Sequence, residues 1–119
     1  MSYSIVELAK ERLPEYSEVY ENLKKRVSLS LFTLPRTKLS SGQKKKHLQE
    51  LLQNVNSVIR ETEGVLNKLN NVTFAENETA LWSKKENLKV EYEKLINLVK
   101  KIKETIWRQA KKDEALVIP

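Results

Sequence analysis

Residues 40–69, SSGQKKKHLQELLQNVNSVIRETEGVLNKL, decide how this chain folds. Leu48, Leu52, Val55, Ile59, Thr62, Leu66 and Leu69 recur at steps of four, three, four, three, four and three. That is the spacing of one face of an α-helix, and Leu51, Val58 and Val65 widen the face along one edge. Three apolar positions in seven make a stripe broad enough to touch two neighbouring helices rather than one. The start is marked too. Ser40 can cap the helix while Gln43, three residues on, reaches back to the cap's own N–H, the capping-box arrangement. The segment is therefore a central helix that needs partners, with Leu52, Val55, Ile59 and Leu66 expected in the core.

The flanking segments supply those partners. Upstream, Ile5, Leu8, Ala9, Leu13, Tyr16, Val19, Tyr20, Leu23 and Val27 keep helical spacing, and Ser4 with Glu7 forms a second capping box. Pro14 interrupts this run. A proline within a helix loses one hydrogen bond and costs about 3 kcal/mol, whereas in the first turn it costs nothing. The expectation is a short helix to about residue 12, then a kink or restart at Pro14 and a main first helix to about residue 31. Leu34 precedes Pro35, which disfavours helical geometry, so residues 33–39 read as a linker of ordinary length.

Within the central helix, Gly64 reads as a place where a neighbour packs close. Asn70 and Asn71 suit its end because Asn tolerates the left-handed conformation. Thr73 and Glu76 make a third capping box, which predicts a last helix from about residue 75 to 112. Leu81, Leu88, Tyr92, Leu95, Val99, Ile102 and Ile106 trace its seam, with Trp82, Ile96 and Trp107 on one flank. Lys85 falls on the seam, where packing should be loose. The helix should outrun the bundle, leaving residues 108–119 projecting or frayed. The terminal Leu-Val-Ile-Pro is an apolar end without a cap. The sum is an all-α chain: an antiparallel up-down-up three-helix bundle over residues 1–112, with a kinked first helix and a long C-terminal helix, and a disordered tail at 113–119.

Composition agrees. With 119 residues the chain is one domain by prior and can bury a single core without staples. There is no cysteine, which excludes disulfides, thiolate zinc sites and cysteine nucleophiles. Two glycines and three prolines are too few for the turns of a sheet protein. No apolar run approaches the roughly 20 residues of a membrane-spanning helix, and the N-terminus meets acidic residues too soon for a signal peptide. The expected location is cytoplasmic. The sequons at Asn71 and Asn77 then read as chance.

Catalytic chemistry finds little support. His47 is the only histidine and reads as a solvated surface residue after Lys44, Lys45 and Lys46. Asp113 is the only aspartate. Glu91 and Glu93 point to different faces of a helix and read as solvated partners of Lys94 or Lys89. There is no glycine-rich phosphate loop, no set of converging metal ligands and no sign of a cofactor or small-molecule substrate, so the chain does not read as an enzyme.

The basic residues say more. Between residues 84 and 112 there are ten Lys or Arg against four Glu, an excess of six that equals the net charge of the whole chain, +6. The plain reading is a solubilising face. The functional reading is a docking stripe of Lys100, Lys101, Lys103, Trp107, Arg108, Lys111 and Lys112 for an acidic protein or an anionic membrane surface. Nucleic acid ranks last, because no recognised binding motif is present and the few aromatics lie on or beside apolar stripes. Trp82 and Trp107 read as core-edge residues, a position also favoured at protein interfaces.

The run from Tyr16 to Leu23, the proline-containing loop from Pro35 to Leu39 and the opening Gln43-Lys44-Lys45-Lys46-His47-Leu48 resemble the N-terminal regulatory domain of a SNARE. The nearer match is to the Vti-type Q-SNAREs and the short syntaxins. The resemblance covers about residues 16–103 and rests on pattern, and no SNARE core helix with its central glutamine follows. It implies a binding module for trafficking adaptors, tethers or SNARE regulators at the cytosolic face of endomembranes, with no cofactor. The competing reading is a structural helical subunit of a larger assembly, such as a tether, kinetochore or transcriptional complex.

Overall fold

Helix α1 (Ser2–Thr33), a 3-10 turn (Leu34–Arg36), helix α2 (Ser41–Asn70) and helix α3 (Thr79–Lys112) follow one another along the chain. The computed structural model describes residues 2–112, with side chains over 5–110, and among them there is no strand.

Helix α2 starts as its sequence dictates. The Gln43 N–H donates to Ser40 Oγ at 3.2 Å, and the Ser40 N–H donates to Gln43 Oε1 at 3.0 Å, so two otherwise orphaned donors are satisfied reciprocally. Leu48, Leu51, Leu52, Val55, Ile59, Thr62 and Leu69 are buried. Thr62 offsets its burial by donating its hydroxyl to the Val58 carbonyl at 2.7 Å. Leu66 departs from expectation and is only half-buried. It lines a groove between α2 and α3 with Asn67, Glu93, Ile96 and Lys100.

Two further expectations for α2 are corrected. No neighbour packs close at Gly64, since a Cβ built there would meet nothing within 4 Å. Asn71 closes the helix in the right-handed region, with φ −87° and ψ −4°, and not in the left-handed one. Its N–H donates to the Asn67 carbonyl at 3.2 Å, which ends the ladder without a positive φ.

Helix α1 runs unbroken through Pro14, so the expected restart does not occur. Pro14 and Lys10, one turn earlier, are both exposed. The carbonyl that loses its partner to the proline therefore sits on the solvent side, where water can replace the missing N–H. Ser4 lies inside the helix rather than at its cap. Val6, Ala9, Tyr20, Leu23 and Val27 are buried, with Leu13 and Tyr16 half-buried between them. The steps from Val6 to Val27 through these residues alternate three and four. Leu8 and Val19, expected on the stripe, face solvent beside it.

Helix α3 begins four residues later than the Thr73–Glu76 box predicts. The reason is an aromatic fastening of the loop. Phe74 meets Trp82 edge-on with ring centroids 5.5 Å apart, and the Trp82 indole N–H donates to the Ala75 carbonyl at 3.0 Å. The Glu78 N–H closes a turn onto Ala75, and the Glu78 carbonyl accepts the Trp82 backbone N–H, so helical bonding starts only there.

Lys85 is the largest surprise on α3. It is 6% exposed, not loosely packed. Its Nζ donates to the Val72 carbonyl at 2.7 Å and lies 5.0 Å from the centre of the Trp82 ring, so one carbonyl and one π-face receive the ammonium. At the other end α3 neither frays nor projects over residues 108–110. Ile106 and Ala110 are fully buried, and the helix runs to Lys112. The expectation for 113–119 lies outside the described residues.

The helices bury two clusters. One gathers Tyr20, Leu23 and Val27 of α1, Leu34, Leu48 to Ile59 of α2, and Leu95 to Ala110 of α3. The other joins Val6 and Ala9 to Leu69, Val72, Leu88 and Tyr92. Polar ties cross between elements at both ends: Lys84 pairs with Glu7, and His47 Nε2 lies 3.2 Å from Ser30 Oγ.

Candidate functional site

Because α3 contributes to both clusters, its two flanks are where charged side chains meet grooves. Residues on a helix advance by about 100° each, so near neighbours in sequence face different ways. The predicted basic stripe divides accordingly. Lys100 and Lys103 line the groove between α2 and α3, together with Gln53, Asn56, Arg60 and Glu63. Lys101 lines the groove on the other side, between α1 and α3.

The two grooves differ in chemistry. In the α2/α3 groove, Lys100 Nζ lies 3.7 Å from Glu63 Oε1, and Glu104 is also on the wall. Glu104 in turn lies 3.8 Å from Arg108. Two carboxylates stand among the three cations here, Arg60, Lys100 and Lys103, which weakens the case for an acidic partner. Exposed pairs of this kind contribute little to stability, about 0–1 kcal/mol.

The α1/α3 groove carries no carboxylate. Its floor is Val27, Leu31, Leu98 and Ile102, its edges are Lys24 and Lys101, and the Ser28 and Thr105 hydroxyls lie along it. Leu98 remains 39% exposed on this floor. Neither Lys24 nor Lys101 has an ion-pair partner among the described residues. An apolar strip between two unpaired cations suits a segment with apolar residues at helical spacing and acidic residues beside them.

Trp107 is half-buried and packs against the first cluster, so it serves the core as well as the surface. Lys111 and Lys112 continue the helix, but their side chains lie outside the described residues. The predicted site residues thus form no single face: Lys101 belongs with α1, Lys100 and Lys103 with α2. Lys24, Ser28 and Leu31 were missing from the sequence reading, since nothing local to α1 marks them as neighbours of Lys101.

His47 is half-buried against Ser30 rather than solvated. Glu91 pairs with Lys94 at 3.7 Å, while Lys89 takes Glu86 at 3.8 Å. Among the described residues no three His, Asp or Glu side chains gather where they could hold a metal ion. No helix among them is long and apolar enough to cross a membrane. Comparison with protein-family models, with curated proteins and with solved structures finds no match to this chain.

Proposed function

We propose that this chain is a non-enzymatic protein–protein interaction module: an antiparallel up-down-up bundle, bent at Pro14, whose α1/α3 groove receives an acidic amphipathic segment of a partner. The up-down-up order is supported by the ties at the two ends, Glu7 with Lys84 and Ser30 with His47, and by the approach of Glu63 to Lys100. The docking reading is carried by one observation, the carboxylate-free groove between Lys24 and Lys101 whose apolar floor leaves Leu98 exposed. Unpaired cations of this sort set association rate and salt dependence, while the apolar floor sets residence time. The likeness to SNARE N-terminal domains gives the reading a setting, with a trafficking adaptor or tether as partner at the cytosolic face of endomembranes.

Panning a displayed peptide library against the folded chain tests this. Selected peptides should carry Asp or Glu beside apolar residues at helical spacing. Leu98→Glu with Lys101→Glu should remove their binding and leave the melting temperature unchanged. Peptides without an acidic and apolar consensus, or binding that survives both substitutions, overturn the groove as the site.

The length of the molecule favours one second reading. A body of 62 × 25 × 19 Å suits a helical strut within a tether, kinetochore or transcriptional complex. Solution mass separates the two: a monomer that melts cooperatively supports the module, and obligate self-association supports the strut.

A further inference from the structure

We infer that the end of the bundle where α1 passes into α2 docks onto an anionic membrane surface. The observation is a coincidence of charge and exposed apolar side chains. Between Glu21 and Glu50 there is no acidic residue, while Lys24 to Arg26, Arg36, Lys38 and Lys44 to Lys46 make eight cations. That local charge exceeds the net charge of the whole chain, +6. None of the eight has an ion-pair partner among the described residues. Lys44 to Lys46 stand within the first turns of α2, where the helix dipole disfavours cations, so they cost the fold something and return no pairing.

The two halves of this charge come from different helices, and the fold brings them together. His47 meets Ser30 at 3.2 Å, and Leu34 is buried in the same cluster as Leu48. At the same end three large apolar side chains are left in solvent: Leu29 is 64% exposed, Phe32 61% and Leu39 44%. Leu29 and Phe32 are three apart on α1 and so share a face. The Arg36 guanidinium sits 4.1 Å from the centre of the Phe32 ring and donates to the Phe32 carbonyl at 2.6 Å, which places a cation directly beside the most protruding aromatic.

Scattered single apolar residues are ordinary on a surface, but three near one end of the bundle, within a stretch that carries eight cations and no acid, are not. A nucleic acid would use the charge and leave Leu29 and Leu39 without a role. An anionic bilayer uses both: lysines and arginines sit at the headgroups while leucine and phenylalanine enter the acyl boundary. This surface shares Lys24 with the α1/α3 groove, but Leu29, Phe32 and Leu39 do not line that groove, so it does not depend on the groove reading.

The test is co-flotation of the full chain with vesicles of phosphatidylcholine, with and without 30 mole per cent (roughly the acidic fraction that gives a strong surface potential) phosphatidylserine. The chain should float with the acidic vesicles only and release as salt rises. Lys44→Gln, Lys45→Gln and Lys46→Gln together should weaken partitioning by roughly a hundredfold, since each cation near such a surface is worth about fivefold. Leu29→Ser with Phe32→Ser should weaken it at every salt concentration, and circular dichroism melting should confirm that both variants fold. The chain has no cysteine, so Phe32→Cys accepts a single environment-sensitive fluorophore, which should brighten on acidic vesicles. Absence of flotation overturns the inference. So does binding indifferent to Leu29→Ser with Phe32→Ser, or tighter binding to a DNA duplex than to the vesicles.

Discussion

The Tyr92 hydroxyl donates to the Ala9 carbonyl at 2.8 Å, a bond between α3 and the early turns of α1 that spans 83 positions of sequence. Tyr16 meets the same ring edge-on, with centroids 6.1 Å apart. Burial, first of all, pushes the Tyr92 phenol up to about 12, with Tyr16 adding to the rise. A raised acid keeps its stabilising effect below its unfolded value, 10.0, and loses it as pH climbs from there through about 12. Tyr92→Phe should therefore cost about 0.5–1.5 kcal/mol near neutrality, the usual net value of one hydrogen bond. It should also flatten the alkaline loss of stability, which denaturant melts between pH 9 and 12 would read.

Lys85 gives a second expectation. Lys85→Met keeps most of the side-chain volume but leaves the buried Val72 carbonyl without its donor. The loss should be about 1–3 kcal/mol in urea unfolding, more than a surface lysine can give. A variant as stable as the parent would mean that water reaches Val72.

Gly64 should respond the other way. A methyl group there meets nothing within 4 Å, and the position is inside α2. Gly64→Ala should raise stability by about 0.5–1 kcal/mol, because alanine restricts the unfolded chain without clashing in the folded one. A fall in melting temperature would show a neighbour closer than the structure places it.

The ion pair of Glu7 with Lys84 predicts the acid limb. The hydrogen bond from Lys84 is the main reason the Glu7 carboxyl sits below its ordinary value of 4.5. A depressed carboxylate contributes above that value and loses its contribution as pH falls through the lower one. Glu7→Gln should lower stability slightly at neutrality, where the half-exposed pair is screened, and should remove that same small increment from the fall in stability below pH 4.5.

Ile59 stands for the core as a whole. It is buried among side chains of all three helices, so Ile59→Ala should cost about 2–5 kcal/mol in thermal or urea unfolding. A variant that melts with the parent would remove α2 from the centre of the fold.

Much of the fold was legible in the chain because the signals that carry it are local. The alternation of three and four from Leu48 to Leu69, and the Ser40–Gln43 box, each act within one helix, and both stand in the structure except that Leu66 is only half-buried. Val6 is absent from the stripe read in the sequence, which takes Ile5 and Leu8 instead, although the alternation that is buried runs from Val6 through Ala9 and Leu13. The Thr73–Glu76 box misled because Phe74 and Trp82 hold those residues in a loop, and a packing contact outweighs a cap worth about 1 kcal/mol. The proposed surfaces were less visible. Lys101 gains Lys24 as a neighbour across the groove, and the start of α2 meets the end of α1 through His47 and Ser30, only after the helices pack.

The sequence by itself determined that this chain is helical, where its central helix starts and which face of that helix is apolar. Those properties follow from hydrogen bonds and periodicity within a few residues. Only the tertiary structure decided that Lys85 is buried, that Gly64 stands in open space, that the basic residues of α3 part to two sides, and that Leu29 and Phe32 stay exposed beside Arg36. Each of these depends on which distant residue arrives next to which, and that is set by how three apolar stripes pack into two clusters.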